Sequence, residues 1–238
     1  MRILIAAPPK TGNMWLKCML GLIYDLKWVK NAELPRPELA AFKEWVDNGG
    51  FRDGTIFHQH YRYSDEFCRA VEAVPAHLVT IIRDPYDAFV SSYFTIQQRA
   101  ADNNLGKSKS SVLAGKPLHH PDVLTYLENG VYRGNLRRAD EWLHSGRAVV
   151  LRYEDLIHDP MGALTRATDQ IAAVTPERIA RAIEACTAEN MRRRDRGMAK
   201  HVRTATVGDS KNHLGEEHFR IFRERYGDLI RRLGYEVR

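Results

Sequence analysis

The sequence has few cysteines and no long apolar run, and each shortage excludes a class of protein. Its 238 residues include only three cysteines, Cys18, Cys68 and Cys186, which are widely separated and form no CxxC pair. This pattern argues against a disulfide framework and against a zinc site. It is typical of a reducing compartment, so we expect a cytoplasmic protein. No apolar run approaches the roughly 20 residues of a membrane span, so we expect no transmembrane helix.

An excess of acidic residues is also lacking. Lys and Arg number 36 against 30 Asp and Glu, which gives a net charge of +6. A basic excess suits an anionic ligand, a nucleic acid or an acidic surface. The length and the ordinary globular composition are enough for one sizeable core, so we expect residues 1–238 to form a single domain.

Short apolar runs alternate with segments of helical periodicity. The runs predicted as buried strands are Ile3–Ala7, Thr55–Phe57, Leu78–Ile82 and Ala148–Leu151. The segments predicted as helices are Met14–Trp28, Asp65–Ala73, Pro85–Arg99 and Val123–Leu143. This alternation predicts an α/β fold with a central parallel sheet flanked by helices. After Asp159 the pattern predicts a helical C-terminal part, with Pro176 at a helix start.

The segment after the first predicted strand has the composition of a phosphate-binding turn. It reads Pro8-Pro9-Lys10-Thr11-Gly12-Asn13-Met14-Trp15-Leu16 and opens the first predicted helix. Backbone N–H groups at a helix start would cradle a phosphate, with Gly12 allowing close approach and Lys10 adding charge. The alternative is an ordinary strand-to-helix turn with a surface lysine.

This P-loop-like segment is not a Walker A loop, because its lysine precedes the glycine. No clear acidic ligand for Mg²⁺ follows an apolar strand either, since Asp84 is flanked by Arg83 and Pro85. A transfer that needs no metal is therefore expected. Lysines and backbone amides can stabilise developing negative charge without a metal cation.

A second candidate phosphate site follows the strand predicted at Leu78–Ile82. Arg83 ends the strand, Pro85 begins a helix and Ser91 lies two turns into it. Arginine offers a fork of donors for a phosphate and serine offers a hydroxyl. The alternative is a structural role, in which Asp84 caps the helix and Pro85 occupies its first position.

Together the two segments resemble the 3'-phosphoadenylyl sulfate (PAPS)-dependent sulfotransferases, of the cytosolic type and in a short, bacterial-like form. The first is similar to that family's Pro-Lys-Ser-Gly-Thr-Thr-Trp-Leu. The second matches Arg-Asn/Asp-Pro-x-Asp-x-x-x-Ser-x-Tyr from Arg83 through Tyr93. Val150–Leu156 resembles the family's Tyr-Glu-Asp-Leu strand end, and residues 203–212 resemble Arg-Lys-Gly-x-x-Gly-Asp-Trp-Lys-Asn. Four motifs in this order over about residues 1–235 make the resemblance specific.

The resemblance implies a role for each matching residue. The 5'-phosphosulfate of PAPS would be held by the first loop, at Lys10, Thr11, Gly12, Asn13, Met14 and Trp15. The 3'-phosphate would be held by Arg83, Ser91, Arg203, Thr204 and Ala205, and the adenine would lie near Tyr153. PAPS would be a co-substrate that leaves as 3',5'-adenosine bisphosphate (PAP), without a metal.

Three departures from the family pattern qualify these roles. Asn13 and Met14 replace a Thr-Thr pair, which removes hydroxyls from the loop. Thr204 and Ala205 replace Lys-Gly, so one contact to the 3'-phosphate would be lost. The family's dimer motif is not recognisable after Lys211. Dimerisation by that route is therefore not expected, and the oligomeric state stays open.

Two histidines, His58 and His60, follow the second predicted strand. The carboxyl ends of parallel strands face the ligand crevice of an α/β fold, and histidine titrates in the range that suits a general base. The family has Lys-Thr-His-Leu-Pro at this point. Aligned on Tyr63-Ser64, its histidine falls on His60 and its lysine on His58. We predict His60 as the base, with His58 as the alternative, and Lys10 as the group that stabilises the leaving oxygen.

We therefore predict a sulfotransferase that transfers the sulfuryl group in line to a hydroxyl or amine. The acceptor would be a small molecule, a carbohydrate or another natural product, bound by variable loops at residues 32–53 and 101–121. A loop as long as the second is usually a lid or disordered. One rival is a P-loop nucleotide kinase, which the reversed loop order and missing Mg²⁺ ligands disfavour. The other is a non-catalytic nucleic-acid binder, suggested by the arginine run Met191–Arg196 and disfavoured because aromatics are not interleaved with it.

Overall fold

The fold is built around a parallel sheet. The computed structural model describes residues 1–106, 108–194 and 206–238. Within them the sheet has five strands in the order β2-β3-β1-β4-β5, and every neighbouring pair is parallel. The strands are β1 Arg2–Ala6, β2 Lys27–Trp28, β3 Thr55–Gln59, β4 Ala76–Ile82 and β5 Val149–Arg152.

Helices cover both faces of this sheet. Those that precede β5 are α1 Asn13–Ile23, α2 Leu39–Asp47, α3 Asp65–Glu72, α4 Pro85–Ala101, α5 Pro121–Glu128 and α6 Arg133–His144. Those that follow it are α7 Tyr153–His158, α8 Pro160–Ile171, α9 Pro176–Ala185, α10 Ala188–Arg194 and α11 Glu216–Arg232. None of the described helices is both long and apolar enough to cross a membrane.

Strand β1 has apolar residues without alternation because both of its faces are covered. Ile3 and Ile5 pack with α1, α8 and α9 on one face, and Leu4 and Ala6 pack with the aromatic cluster around Phe42 on the other. All four are fully buried. A strand covered on both faces must be apolar throughout, as predicted. The predicted α/β fold with a helical C-terminal part is confirmed, and α9 begins at Pro176.

Two predicted helices differ from those observed. The helix predicted at Met14–Trp28 ends at Ile23, because Asp25 turns the backbone to a φ of 54° and the Leu26 N–H bonds to Gly21 O at 2.8 Å. Trp28 then joins the edge strand β2, which the sequence did not predict. The helix predicted at Val123–Leu143 is divided into α5 and α6, and Gly130, with a φ of 70°, lies in the turn between them.

The expectation that the cysteines stay unpaired is wrong for two of them. Cys18 in α1 and Cys186 at the end of α9 form a disulfide, with Cα atoms 6.3 Å apart. Cys68 is free and buried. The wide separation in sequence was misleading, since α1 and α9 pack side by side and bring residues 168 positions apart into contact.

Candidate active site

A cavity of about 850 Å³ opens at the carboxyl ends of the central strands. The ends of β1, β3 and β4 contribute Pro9, His58 and Arg83 to its wall. The beginning of α1, the exposed side of α4 and the loop after α4 complete the wall. Ligands bind at this edge of open α/β sheets, because the loops there diverge and leave a crevice.

The loop between β1 and α1 has the backbone that a phosphate cradle needs. Lys10 and Gly12 both adopt left-handed conformations, with φ of 69° and 102°. A side chain at position 12 would lie 2.8 Å from Cδ2 of Tyr153, so only glycine fits there. A non-glycine residue at positive φ is strained by about 1–3 kcal/mol, and such strain concentrates at functional sites. Lys10 is therefore held in a conformation that it would not adopt alone.

Two polar side chains of this loop bind the loop itself. Thr11 Oγ1 donates to Pro8 O at 3.0 Å, and Asn13 Nδ2 donates to the same carbonyl at 2.8 Å. Both side chains are buried. Thr11 is absent from the cavity wall, whereas Asn13 forms part of it. Asn13 thus fixes the loop through its amide, at a place where the resemblance had suggested only a lost hydroxyl.

The first turn of α1 points its backbone at the cavity. Gly12, Asn13, Met14 and Trp15 all line it, and the N-cap residue is Gly12, which has no side chain with which to cap the helix. The first amide groups of a helix have no partner within the helix and carry a partial positive charge. Such groups can bind an anion between them.

Arg83 lies beside this loop and stacks on an aromatic ring. Its guanidinium carbon is 4.1 Å from the ring centre of Tyr153, and Nη1 donates to Lys10 O at 3.3 Å. Nη2 donates to Thr206 O at 3.2 Å. The side chain is only 8% exposed. Ser91, two turns into α4, lines the same cavity.

Asp87 has a structural role here that sequence reasoning missed. Its buried carboxylate accepts the Gly208 N–H at 2.7 Å and the Ser210 N–H at 2.8 Å. It thereby fixes the chain that follows residues 203–205 against α4, next to Arg83. The sequence did contain a signal for this role, because Asp87 is one of the residues of the second family signature. Arg203, Thr204 and Ala205 themselves lie outside the described residues.

His60 is oriented by the backbone of β1. Its Nδ1 lies 2.8 Å from Ala7 O. A carbonyl can only accept, so Nδ1 carries the proton and Nε2 of the neutral ring has a lone pair. Burial lowers the pKa of His60, and the charges of Arg138, Lys10 and Arg99 lower it further, against the opposing effect of the bond to Ala7. The ring is therefore neutral near pH 7, as a base must be.

His58 lines the same cavity, with its ring centre 6.1 Å from that of His60. Both histidines predicted from the sequence are therefore in place. The contact with Ala7 O implies one tautomer for His60, in which Nε2 has the lone pair.

The described part of the loop at residues 101–121, for which the sequence predicted a lid or disorder, forms part of the cavity wall. Its residues 109–113 form a 3-10 helix, and Leu113 is buried. The side-chain amide of Gln97 in α4 binds this loop through both of its polar atoms. Nε2 donates to Leu113 O at 2.6 Å, and Oε1 accepts the Gly115 N–H at 2.8 Å. Ser108, Lys109 and Leu113 thus reach the cavity wall.

The structure brings most of the predicted site residues into this one cavity. Those that line it are Lys10, Gly12, Asn13, Met14, Trp15, His58, His60, Arg83, Ser91 and Tyr153. The described residues contain no group of three or more His, Cys, Asp or Glu side chains placed to hold a metal ion.

Comparison with known proteins finds the same fold in solved sulfotransferase structures. The mouse sulfotransferase SULT7A1 complexed with PAP has a TM-score of 0.70 and 19% identity, over 97% of this chain and 84% of that one. A retinol dehydratase in complex with androsterone and the inactive cofactor PAP has a TM-score of 0.66 and 15% identity, over 100% and 82% of the two chains. Identities this low show a shared fold. No curated protein matches the sequence.

A family model identifies the chain more directly. The model of the sulfotransferase domain matches residues 1–234, which is nearly the whole sequence. The match includes the loop at Lys10, the segment that begins at Arg83 and the strand end at Tyr153. The resemblance in the sequence motifs is thus confirmed, and the chain belongs to the sulfotransferase family, enzymes that use PAPS as the sulfuryl donor.

Proposed function

We propose that residues 1–238 form one sulfotransferase domain that transfers the sulfuryl group of PAPS to a hydroxyl or amine of a small-molecule, carbohydrate or natural-product acceptor. One observation carries the proposal. A single cavity joins an anion-binding loop at Lys10, a second cationic site at Arg83 and Ser91, and a neutral histidine at His60. These are the groups that a nucleotide with two phosphate positions and a hydroxyl acceptor require.

The donor would extend between the two cationic groups. The amides at the start of α1 and the Lys10 ammonium would bind the 5'-phosphosulfate. Arg83 and Ser91 would bind the 3'-phosphate, as would Arg203 with Thr204 and Ala205. Tyr153 packs against Gly12 and Arg83, and the adenine would lie near it. The PAP in the two similar structures is consistent with this arrangement.

The transfer would proceed in one step at the sulfur atom. Nε2 of His60 takes the proton of the acceptor hydroxyl as its oxygen forms a bond to sulfur. The bond between sulfur and the bridging phosphate oxygen breaks at the same time, and PAP leaves. Lys10 stabilises the negative charge that develops on that oxygen, in a site where preorganised charges need no rearrangement. Alignment of the two substrates supplies much of the rest of the acceleration.

Calorimetry with nucleotides tests the donor assignment. PAP should bind at least roughly tenfold more tightly than AMP, since a charged hydrogen bond to the 3'-phosphate contributes about 1.5–3 kcal/mol. The matched variant Arg83→Gln should remove most of this preference, and Arg178→Gln, on the exposed side of α9, should leave it intact. Equal affinities for PAP and AMP in the wild type would refute the assignment.

The proposed transfer needs no metal. Sulfuryl transfer from PAPS should continue in EDTA at the rate measured with Mg²⁺. Loss of turnover on chelation, restored by Mg²⁺ alone, would favour the kinase-like alternative instead.

A cytoplasmic location is retained as part of the proposal, although the disulfide between Cys18 and Cys186 counts against the reduced cysteines on which it was based. Alkylating free thiols in intact cells before lysis, followed by mass spectrometry, would decide the matter. Labelled Cys18 and Cys186 would support a reducing compartment, and protected ones would contradict it.

A further inference from the structure

The charged side chains that line the cavity are all of one sign. They are Lys10, Arg83, Arg99 and Lys109, and none of the described residues in its wall is acidic. Lys10 and Arg83 are required by the donor. Arg99 and Lys109 are not, because they lie towards the other end of the cavity, where the loop after α4 folds over it.

Distance along α4 separates these two cations from the donor. Arg99 follows Ser91 by eight residues, which is about 12 Å at 1.5 Å per helical residue. Lys109 belongs to the 3-10 helix that Gln97 holds against α4. The charge of Arg99 is among those that lower the pKa of His60. Arg99 and Lys109 therefore line the part of the cavity formed by the end of α4 and the loop after it, which the proposed donor leaves for the acceptor.

A third cation, Arg138, contacts the cavity wall without being part of it. Arg138 of α6 donates to Asn135 Oδ1 at 3.4 Å, and Asn135 lines the cavity. Its Nε is buried without a hydrogen-bond partner among the described residues. Burial and the nearby Arg62 lower the pKa of Arg138 by more than Glu141 raises it. A guanidinium in this position is under-compensated, and a bound anion would offset the cost.

We propose that the acceptor carries an anionic group, a carboxylate, sulfate or phosphate, beside the hydroxyl or amine that is sulfated. Arg99 and Lys109 bind this group, and Arg138 adds positive charge from behind Asn135. The inference rests on the proposed function, because it assumes that the donor occupies the Lys10 and Arg83 end. It narrows the acceptor to negatively charged molecules, a class that the motifs did not specify.

Matched acceptor pairs test the proposal. Each pair offers the same hydroxyl with and without the charge. Examples are 4-hydroxyphenylacetate against its amide, and a uronic acid against the corresponding neutral sugar. 4-Hydroxyphenyl sulfate and phosphate would rank the three anions. The readouts are binding to the enzyme–PAP complex by calorimetry and sulfuryl transfer from labelled PAPS. We expect the anionic member of a pair to bind roughly tenfold or more tightly, as charged hydrogen bonds imply.

The double variant Arg99→Gln/Lys109→Gln locates the effect. It should lose most of the preference for the anionic member while its affinity for PAP stays unchanged, and Arg178→Gln should behave as the wild type. Equal binding of both members by the wild type, including no detectable binding of either, would overturn the proposal. So would a loss of PAP affinity in the double variant as large as the loss for the anionic acceptor, since the two cations would then serve the donor. Failure of the proposed function itself would appear separately, as equal binding of PAP and AMP.

Discussion

His60 and Lys10 act on different substrates in the proposed mechanism, so their substitution should separate turnover from donor binding. His60→Ala should lower turnover by roughly 10²–10⁴-fold, the usual contribution of a positioned general base. Its affinity for PAP should stay nearly unchanged. Lys10→Ala should lower both, because the ammonium binds the donor in the ground state and the transition state alike.

His58→Ala is the matched control, and it should have the milder effect of the two histidines. Steady-state kinetics with calorimetry of PAP distinguishes all three variants. An inactive His58→Ala with a nearly normal His60→Ala would move the base to His58 and leave the donor site as proposed.

The pH dependence of turnover follows from the surroundings of His60. Its neutral form is the active one, and burial together with nearby cations lowers its pKa below 6.5. The value of kcat/KM should therefore be level near pH 7 and fall only as the pH drops through that lowered pKa. Arg138→Gln removes one of the cations, so the fall should begin at a higher pH than in the wild type. A fall that begins at the same pH as in the wild type and in Arg178→Gln, or at a lower pH, would contradict this account of the His60 pKa.

At the scale of elements, Asp87 connects α4 with the segment that leads into α11. Asp87→Ala would leave the Gly208 and Ser210 amides without their acceptor, at about 1–3 kcal/mol for an unsatisfied buried group. We expect the melting temperature to fall by several degrees and PAP to bind more weakly. Asp228→Ala, at an exposed carboxylate of α11, is the control. If Asp87→Ala were destabilised but bound PAP normally, Asp87 would contribute to the stability of the fold and not to nucleotide binding.

The main elements could be predicted because their local patterns agree with the fold. β1 and β4 consist mainly of apolar residues, as strands buried on both faces should. Pro85 and Pro176 occupy the first positions of α4 and α9. β2 could not be found this way. It has two residues, and Trp28 continues the apolar pattern of α1 even though Asp25 has already turned the chain.

The candidate site was predictable to the extent that its residues sit in local motifs. Lys10, Gly12, Arg83, Ser91 and both histidines come from three short segments at strand ends, and all reach one cavity. The cations of the acceptor end are different. Arg99, Lys109 and Arg138 come from α4, the loop after it and α6, and only the fold places the first two in one cavity wall and the third against Asn135 of that wall. No pattern in the sequence distinguishes them from solvated surface charges.

For the whole molecule, the disulfide should contribute measurably to stability. It closes a chain of 168 residues between Cys18 and Cys186, and constraining an unfolded chain in this way typically contributes about 2–4 kcal/mol. Dithiothreitol should therefore lower the melting temperature of the wild type. Cys18→Ser/Cys186→Ser should start from the lower value and not respond to dithiothreitol. A wild type that melts at the same temperature with and without reductant would contradict a stabilising role.

Reduction should also weaken donor binding, because the disulfide adjoins residues of the proposed donor site. Trp15, in the first turn of α1, donates from Nε1 to the carbonyl of Cys186 at 2.9 Å, and Ala188 and Met191 of the adjoining α10 line the cavity. A ligand at 100 times its Kd stabilises the folded state by about 2.7 kcal/mol, so binding of PAP can be read from the rise in melting temperature that it causes. At one PAP concentration, this rise should be smaller for the reduced protein than for the oxidised protein, because weaker binding stabilises the fold less. An equal rise in both would mean that the disulfide stabilises the fold without holding α1 and α10 in position for the nucleotide.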